Sequence, residues 1–233
     1  MEASRHQRKD QMQQKTRKPA RSRQRSVQLS VQPPVHPHVR NICVYCGSNP
    51  GKNPAYVEAA RGLGREMAKA GVGLVYGGGG LGLMGELART VLAHGGRVTG
   101  IIPAFLSEKE RMLRDADELI VVDDMHQRKK MMFDKSDAFV ALPGGIGTLE
   151  ELVEQLTWAQ LGRHTKPIVL VDIDDFYAPF LTLIRHMQAE AFIRPDMDVR
   201  FITVGSAGAV LPAILAAARP PSAAEAAAVS ERF

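Results

Sequence analysis

Cysteine is nearly absent from this chain. Of 233 residues only Cys43 and Cys46 carry a thiol. They form a literal C-x-x-C, but a structural zinc site needs four ligands and no second pair follows. A thioredoxin-like motif opens a helix, whereas these two lie along a strand-like run, 42–46. Three residues apart on a strand, their side chains point to opposite faces. They are expected as reduced core residues of a cytoplasmic protein. Long apolar runs are also missing. No stretch of about 18 apolar residues exists, so nothing is expected to span a membrane. The first residues hold no apolar segment of the kind a secretory signal requires. Aromatic residues make up 6% of the chain. His, Cys and Asp do not cluster at metal-ligand spacing, so the expectation is no metal and no cofactor.

What is present supports one sizeable core: 45% of the residues are hydrophobic, at a length suited to a single domain. The charge is unevenly placed. The net charge is +5, yet residues 1–25 carry nine Lys/Arg against Glu2 and Asp10, a local +7 that leaves the remainder at −2. The basic stretch 1–39 is rich in Gln, Arg, Lys and Ser and too poor in apolar residues to offset the entropy of ordering, so it reads as a disordered tail. Such a tail could touch nucleic acid or an anionic surface, but a solvated extension is the plainer reading and nucleic acid is not the expected partner. The Ala-rich end, 219–233, reads as a second, flexible tail.

From residue 40 to 218 short apolar runs alternate with helical patterns. Strands are expected at 42–46, 73–76, 97–101, 119–122, 138–142, 168–171 and 201–204. Helices are expected near 54–70, 84–94, 126–135, 148–161, 175–190 and 206–218. Strands without polar alternation, separated by helices, imply a parallel sheet covered on both faces. The fold class is therefore α/β, a Rossmann-like doubly wound domain, with ligands expected beyond the carboxyl ends of the strands.

The run Pro143-Gly144-Gly145-Ile146-Gly147-Thr148-Leu149-Glu150-Glu151 is the most informative segment. It joins a strand to a helix, where backbone amides and the helix dipole suit a phosphate group. Thr148-x-x-Glu151 is also a capping box, and acidic residues in a first turn are favourable on dipole grounds alone. A second glycine run, Gly77-Gly78-Gly79-Gly80, follows the second strand and leads into Leu83-Met84-Gly85. Gly80, Gly82 and Gly85 match G-x-G-x-x-G, but the match follows the wrong strand and no acidic residue ends the next one, so NAD is not expected. A Gly-Lys-Ser/Thr ending is missing, which argues against triphosphate with magnesium. Two glycine loops at neighbouring strand ends instead fit a nucleoside monophosphate.

A basic helix precedes the motif. Met125, Arg128 and Met132 share one helical face, so the guanidinium is shielded from water in a setting that suits a phosphate, base or carboxylate partner. Lys130 reads as part of an exposed basic face.

Together, Cys46-Gly47-Ser48, the Gly77–Gly80 run with Leu83-Met84-Gly85, Met125-His126-Gln127-Arg128-Lys129 and the Pro143–Glu151 motif resemble the LOG ("Lonely guy") family over roughly residues 40–218. These are cytokinin riboside 5′-monophosphate phosphoribohydrolases. The resemblance implies hydrolysis of the N-glycosidic bond of an N6-substituted AMP to free base and ribose 5-phosphate. The family's catalytic residues fall on Arg128 and Glu151. Its nucleotide-binding positions fall on Lys129, on Gly144, Gly145, Ile146, Gly147, Thr148, Leu149 and Glu150, and on Glu110 and Thr157. Ser48, Gly78, Gly79 and Met84 complete the expected substrate site. Ile146 stands where plant members usually have tyrosine, a departure that touches base packing more than chemistry. Family members have often been labelled lysine decarboxylases, but nothing in the sequence marks a pyridoxal phosphate site. The family also implies a homodimer or larger assembly. The expected helix with Trp158 carries apolar residues on more than one side, although Trp158 fits the core equally.

Glycoside hydrolysis usually uses two carboxyl groups flanking the scissile bond. Glu150 and Glu151 are adjacent, about 100° apart around a helix, and cannot do so. An adenine leaving group takes its proton on a ring nitrogen, so one carboxylate, Glu151, suffices. Arg128 then pairs with phosphate or orients Glu151, and Glu150 holds ribose hydroxyls. Two other functions share these features: a general AMP nucleosidase, and a non-hydrolytic nucleotide or molybdenum-cofactor carrier, for which a carboxylate beside the phosphate would serve no purpose.

Overall fold

The computed structural model describes residues 39–107, 111–194, 197 and 199–218. Almost all of the expected N-terminal tail, the expected C-terminal tail and Glu110 lie outside the described residues. The seven expected strands are all present: β1 Asn41–Tyr45, β2 Gly73–Tyr76, β3 Val98–Pro103, β4 Glu118–Val122, β5 Ala138–Ala141, β6 Ile168–Val171 and β7 Ile202–Val204. They form one sheet in the order β4-β3-β2-β1-β5-β6-β7, and every pairing is parallel. The helices are α1 Pro54–Lys69, α2 Gly82–Ala93, α3 Ala104–Ser107, α4 Met125–Asp134, α5 Ile146–Gln160, α6 Ala178–Ala189 and α7 Val210–Ala217. The short α3 has no counterpart among the expected helices.

The apolar strands behave as a doubly covered parallel sheet demands. Every residue of β2, β5 and β6 is buried, whereas the edge strands β4 and β7 are partly exposed. Side chains alternate between two core layers. Ile42, Val44, Leu74 and Val140 pack with Leu63, Met67, Leu87 and Ile214 on one face. Cys43, Tyr45, Val75 and Phe139 pack with Met132, Leu152 and Leu156 on the other. Cys46 joins the first layer, so the sheet separates it from Cys43, and both thiols are free and buried.

The chain leaves β1 outward through β2, β3 and β4, then returns through α4 to β5 on the other side of β1. The crevice where strand order reverses therefore lies between β1 and β5, where ligands of such folds bind. This corrects one expectation. The glycine loops after β2 and β5 are not neighbours; β1 intervenes, and Gly47, two residues past it, joins the loop after β5 to the start of α2. The Gly47 N–H donates to Pro143 O at 3.1 Å, and Gly47 O accepts from the N–H groups of Leu83 (2.9 Å) and Met84 (3.3 Å).

Candidate active site

The loop after β5 is anchored on both sides. Leu142 N–H donates to Tyr45 O (3.0 Å), and Tyr177 Oη donates to Leu142 O (2.7 Å). The N-cap of α5 is Gly145, with no side-chain capping bond. The expected capping box is therefore not formed: Thr148 and Glu151 both lie inside the helix. The reason is Gly144. A Cβ there would fall 2.2 Å from Thr148 Oγ1, so the bare glycine lets the threonine turn inward and be buried. Gly145 and Gly147 face open space instead, and neither has positive φ. Close packing does not require glycine at these two positions; the close approach of a ligand to the backbone would.

The two glycine loops differ in what their helices leave open. In α2 the first-turn amides of Leu83 and Met84 are taken by Gly47 O. In α5 the amides of Ile146, Gly147 and Thr148 have no partner among the described residues. An anion drawn to a helix N-terminus thus finds donors at α5. The run after β2 has another task. Gly78 O accepts from Leu113 N–H (3.1 Å), Gly79 bridges to Met112, and Gly80 N–H donates to Arg111 O (3.0 Å). Gly77 makes room for Arg128.

Arg128 is buried and clamped. Its Nε donates to Ile101 O, within β3, at 3.2 Å, and its Nη2 to Gly77 O, just past β2, at 3.1 Å. Its Nη1 lies 3.8 Å from Met125 Sδ and 3.8 Å from Glu151 Oε1. The Glu151 side chain is 11% exposed and that of Arg128 7%, so their attraction acts where water screens it little. Of the roles open to Arg128, this geometry places it against the carboxylate. The surroundings respond to that charge. Burial raises the thiols of Cys43 and Cys46 and the phenol of Tyr45 above their ordinary values, with the negative charge of Glu151 adding to each.

Glu150 faces the other way. It pairs with Lys129, whose ammonium also lies 3.0 Å from Glu154 Oε1. Burial opposes the Lys129 charge, yet hydrogen bonds with Glu150 and Glu154 hold its pKa above the ordinary lysine value. Thr157 lies nine residues beyond Thr148, roughly 13 Å along the helix. It is exposed, and its hydroxyl donates to Val153 O. The structure therefore gathers Gly144–Glu151, Arg128, Lys129 and Met84 at the strand ends but leaves Thr157 outside. Leu149 is half-buried and Ile146 is 83% exposed. Lys130 pairs with Asp134 at the surface, as expected.

Two cavities flank Gly144 and Gly145. One, of about 240 Å³, is bordered by Ser48, Tyr56, Leu83 and Phe176; the other, of about 470 Å³, by Ile146, Leu149, Phe180 and Leu183. Sequence reasoning missed Phe176 and Tyr177 beside the loop. An aromatic pair just past the end of a buried strand was the available signal.

A family model described as "Possible lysine decarboxylase" matches residues 84–214. The lysine of the site does not suit that description: the ammonium of Lys129 is held charged between carboxylates, and a Schiff-base lysine must be neutral to attack. The chain is 50% identical over 155 residues to a probable cytokinin riboside 5′-monophosphate phosphoribohydrolase of rice, Oryza sativa subsp. japonica, covering 66% of this chain and 70% of that one. It is 51% identical over 157 residues to a cytokinin riboside 5′-monophosphate phosphoribohydrolase of Arabidopsis thaliana (67% and 72% covered). It is 46% identical over 164 residues to one of Rhodococcoides fascians (70% and 83%). Among solved structures, the molybdenum cofactor binding protein of Rippkaea orientalis superposes with a TM-score of 0.57 at 22% identity, covering 78% of this chain and 98% of that one. The Moco carrier protein of Chlamydomonas reinhardtii gives 0.58 at 21%, covering 77% and 97%. These two share the fold, and at such identity nothing more is carried over. With half of its aligned residues identical over two thirds of its length, the chain belongs to the LOG family of cytokinin riboside 5′-monophosphate phosphoribohydrolases.

Proposed function

We propose that this protein hydrolyses the N-glycosidic bond of an N6-substituted adenosine 5′-monophosphate, releasing the free base and ribose 5-phosphate. The observation that carries this reading is the layout of α5. Three amides without a partner among the described residues stand at its N-terminus, and buried Glu151 follows one turn later against Arg128. Gly147 and Glu151 are roughly 6 Å apart along the axis, the scale that separates a 5′-phosphate from the anomeric carbon. The amides of Ile146, Gly147 and Thr148 hold the phosphate, which fixes the sugar for attack. The bond from C1′ to the base breaks with its electron pair leaving on the base. Glu151 stabilises the positive charge that develops on the sugar and aligns the water whose oxygen joins C1′. One proton of that water passes to Glu151, which releases it to solvent as the site resets, and the departing base takes a proton from solvent on a ring nitrogen. Arg128, 3.8 Å away and buried beside it, holds the Glu151 carboxylate in place.

Glu150 and Lys129 form the outer wall of the site, with Glu150 available to ribose hydroxyls. No metal is assigned to the reaction. Ile146, Val153 and Leu161 are exposed apolar residues along the outward side and end of α5, and we assign that side to a homodimer interface. Light scattering after gel filtration would give twice the chain mass. The two buried thiols, separated by the sheet, suit a reducing cytoplasm.

The test is to incubate the protein with isopentenyladenosine monophosphate and with AMP and to follow free base by chromatography. Glu151→Gln keeps the size of the side chain and should lower kcat on the order of 10²–10⁴-fold. Undiminished release would remove Glu151 from the chemistry. Equal rates on both nucleotides would assign a general AMP nucleosidase, and no release with retained binding would assign a carrier.

A further inference from the structure

The side of α5 that faces α4 is polar where a buried helix face is ordinarily apolar. Glu151 and Glu154 lie there opposite Arg128 and Lys129 of α4, and Gln155 is buried on the same helix one turn after Glu151. Tyr45 of β1 lies beneath, close enough to Cys43, Glu151 and Glu154 to be influenced by each. Gln155 is the anomaly. It is 0% exposed, and neither its Oε1 nor its Nε2 has a partner among the described residues. Glu154 Oε2 is likewise buried without one. Buried amides are nearly always satisfied, and one left unpaired lowers stability.

The backbone gives Gln155 no freedom to escape. Its carbonyl accepts from His164 Nε2 (3.2 Å), while His164 Nδ1 accepts from Lys166 N–H (3.2 Å). Leu152 and Leu156 bury the same side of the helix. Side chains on a helix lean toward its N-terminus, which carries the amide of Gln155 toward Glu151, one turn earlier on the same face. Residues four apart have Cβ atoms about 6 Å apart, a gap that one water closes. A buried water needs two to four polar partners, and the candidates are the unpartnered atoms of Gln155 and Glu154 together with Glu151 and the Tyr45 phenol, which lies near both glutamates.

We propose that Gln155 is a positioning residue for Glu151, acting through ordered water between α4, α5 and β1 to fix the direction of the carboxylate. The inference rests on the hydrolytic reading above. It explains why an amide rather than an apolar side chain occupies this core position.

The test sets activity against stability. Gln155→Met keeps the length of the side chain and places an apolar group at a fully buried position, so the thermal midpoint should not fall. Release of base from isopentenyladenosine monophosphate should nevertheless fall at least tenfold in kcat, with KM changed less than twofold. Tyr45→Phe, which withdraws another partner of the same water, should lower kcat in the same direction. The double variant should then lose less than the two single losses combined. A purely structural Gln155 would move the midpoint and leave kcat where it was, and that result would overturn the proposal. So would parallel losses of stability and rate. If Gln155→Met does not fold, an unchanged kcat in Tyr45→Phe overturns it equally. The wild-type control separates the two readings: an inactive wild type ends the hydrolytic function and this inference with it, whereas an active wild type matched by its variants ends only the latter.

Discussion

Gly77 shows how a residue without a side chain can set the reactivity of two others. A Cβ there would lie 2.0 Å from Arg128 Nη2 and 3.2 Å from Met84 Sδ. Gly77→Ala must therefore push the guanidinium off the carbonyls of Gly77 and Ile101 and away from Glu151. Under the proposed hydrolysis, a displacement of this size beside Glu151 costs on the order of 10²-fold in rate. The expectation is a kcat lowered about 10²-fold in the base-release assay, with substrate still bound. Gly145→Ala is the contrasting case, because a Cβ there meets nothing. It should leave kcat alone and raise KM by crowding the phosphate. Unaltered kcat in Gly77→Ala would show that Arg128 does not act through its position. The loop around which the candidate site is built was legible in the sequence, because a glycine-rich strand-to-helix turn followed by glutamates has a local pattern. The direction of Arg128 was not. Its methionine neighbours indicated shielding, but its carbonyl partners lie 27 and 51 residues away, and no local pattern encodes them. Thr148 misled for the converse reason: its spacing to Glu151 matches a capping box, but the space left by Gly144 draws it inward.

The strands were legible because their apolar runs are short and separated by helical patterns. Their order across the sheet was not, since it depends on where each crossover returns. Helix ends show a further regularity. After α1, α2, α5 and α6 the chain turns in the same way: the third residue past each helix donates back five positions, as in Val72 to Met67, Gly96 to Val91, Arg163 to Trp158 and Phe192 to Met187. Each turn places one residue at positive φ. Gly71, Gly95 and Gly162 take that position in three of them, but Ala191 takes it after α6 with φ of 60°. An L-residue with a Cβ is strained there. Ala191→Gly should stabilise the protein by about 1 kcal/mol. That corresponds to a rise of about 2–4 °C in Tm for a chain of this size, measurable by calorimetry. Gly162→Ala should produce a fall of similar size. If the two changes had the same sign, the strain argument would fail.

At the scale of the whole molecule, one histidine ties several elements together and makes the fold sensitive to acid. His164 follows α5, bonds the carbonyl of Gln155 within it, and packs against Phe133 of α4 and Phe139 of β5 with ring centroids 5.3 and 5.6 Å away. Its two nitrogens have opposite duties: Nε2 donates to Gln155 O, and Nδ1 accepts from Lys166 N–H. Only the neutral ring can do both. Burial lowers its pKa below the ordinary histidine value, the bond to Gln155 opposes that shift, and the nearby Lys166 charge adds to it. The unfolded chain therefore binds this proton more readily than the folded one. Where the unfolded histidine titrates, about pH 6.5, folding begins to compete with protonation. The contribution of His164 is thus complete above that pH and shrinks as pH falls toward the lower folded value. Tm should be level near pH 7–8 and decline on the way to pH 5. His164→Gln retains a donor and an acceptor without titrating in this range, so its Tm should decline less steeply over the same interval. Equal slopes in the two proteins would assign the acid sensitivity to the carboxylates instead. A smaller slope would identify His164 as the group that holds α5, and with it Glu151, against the sheet.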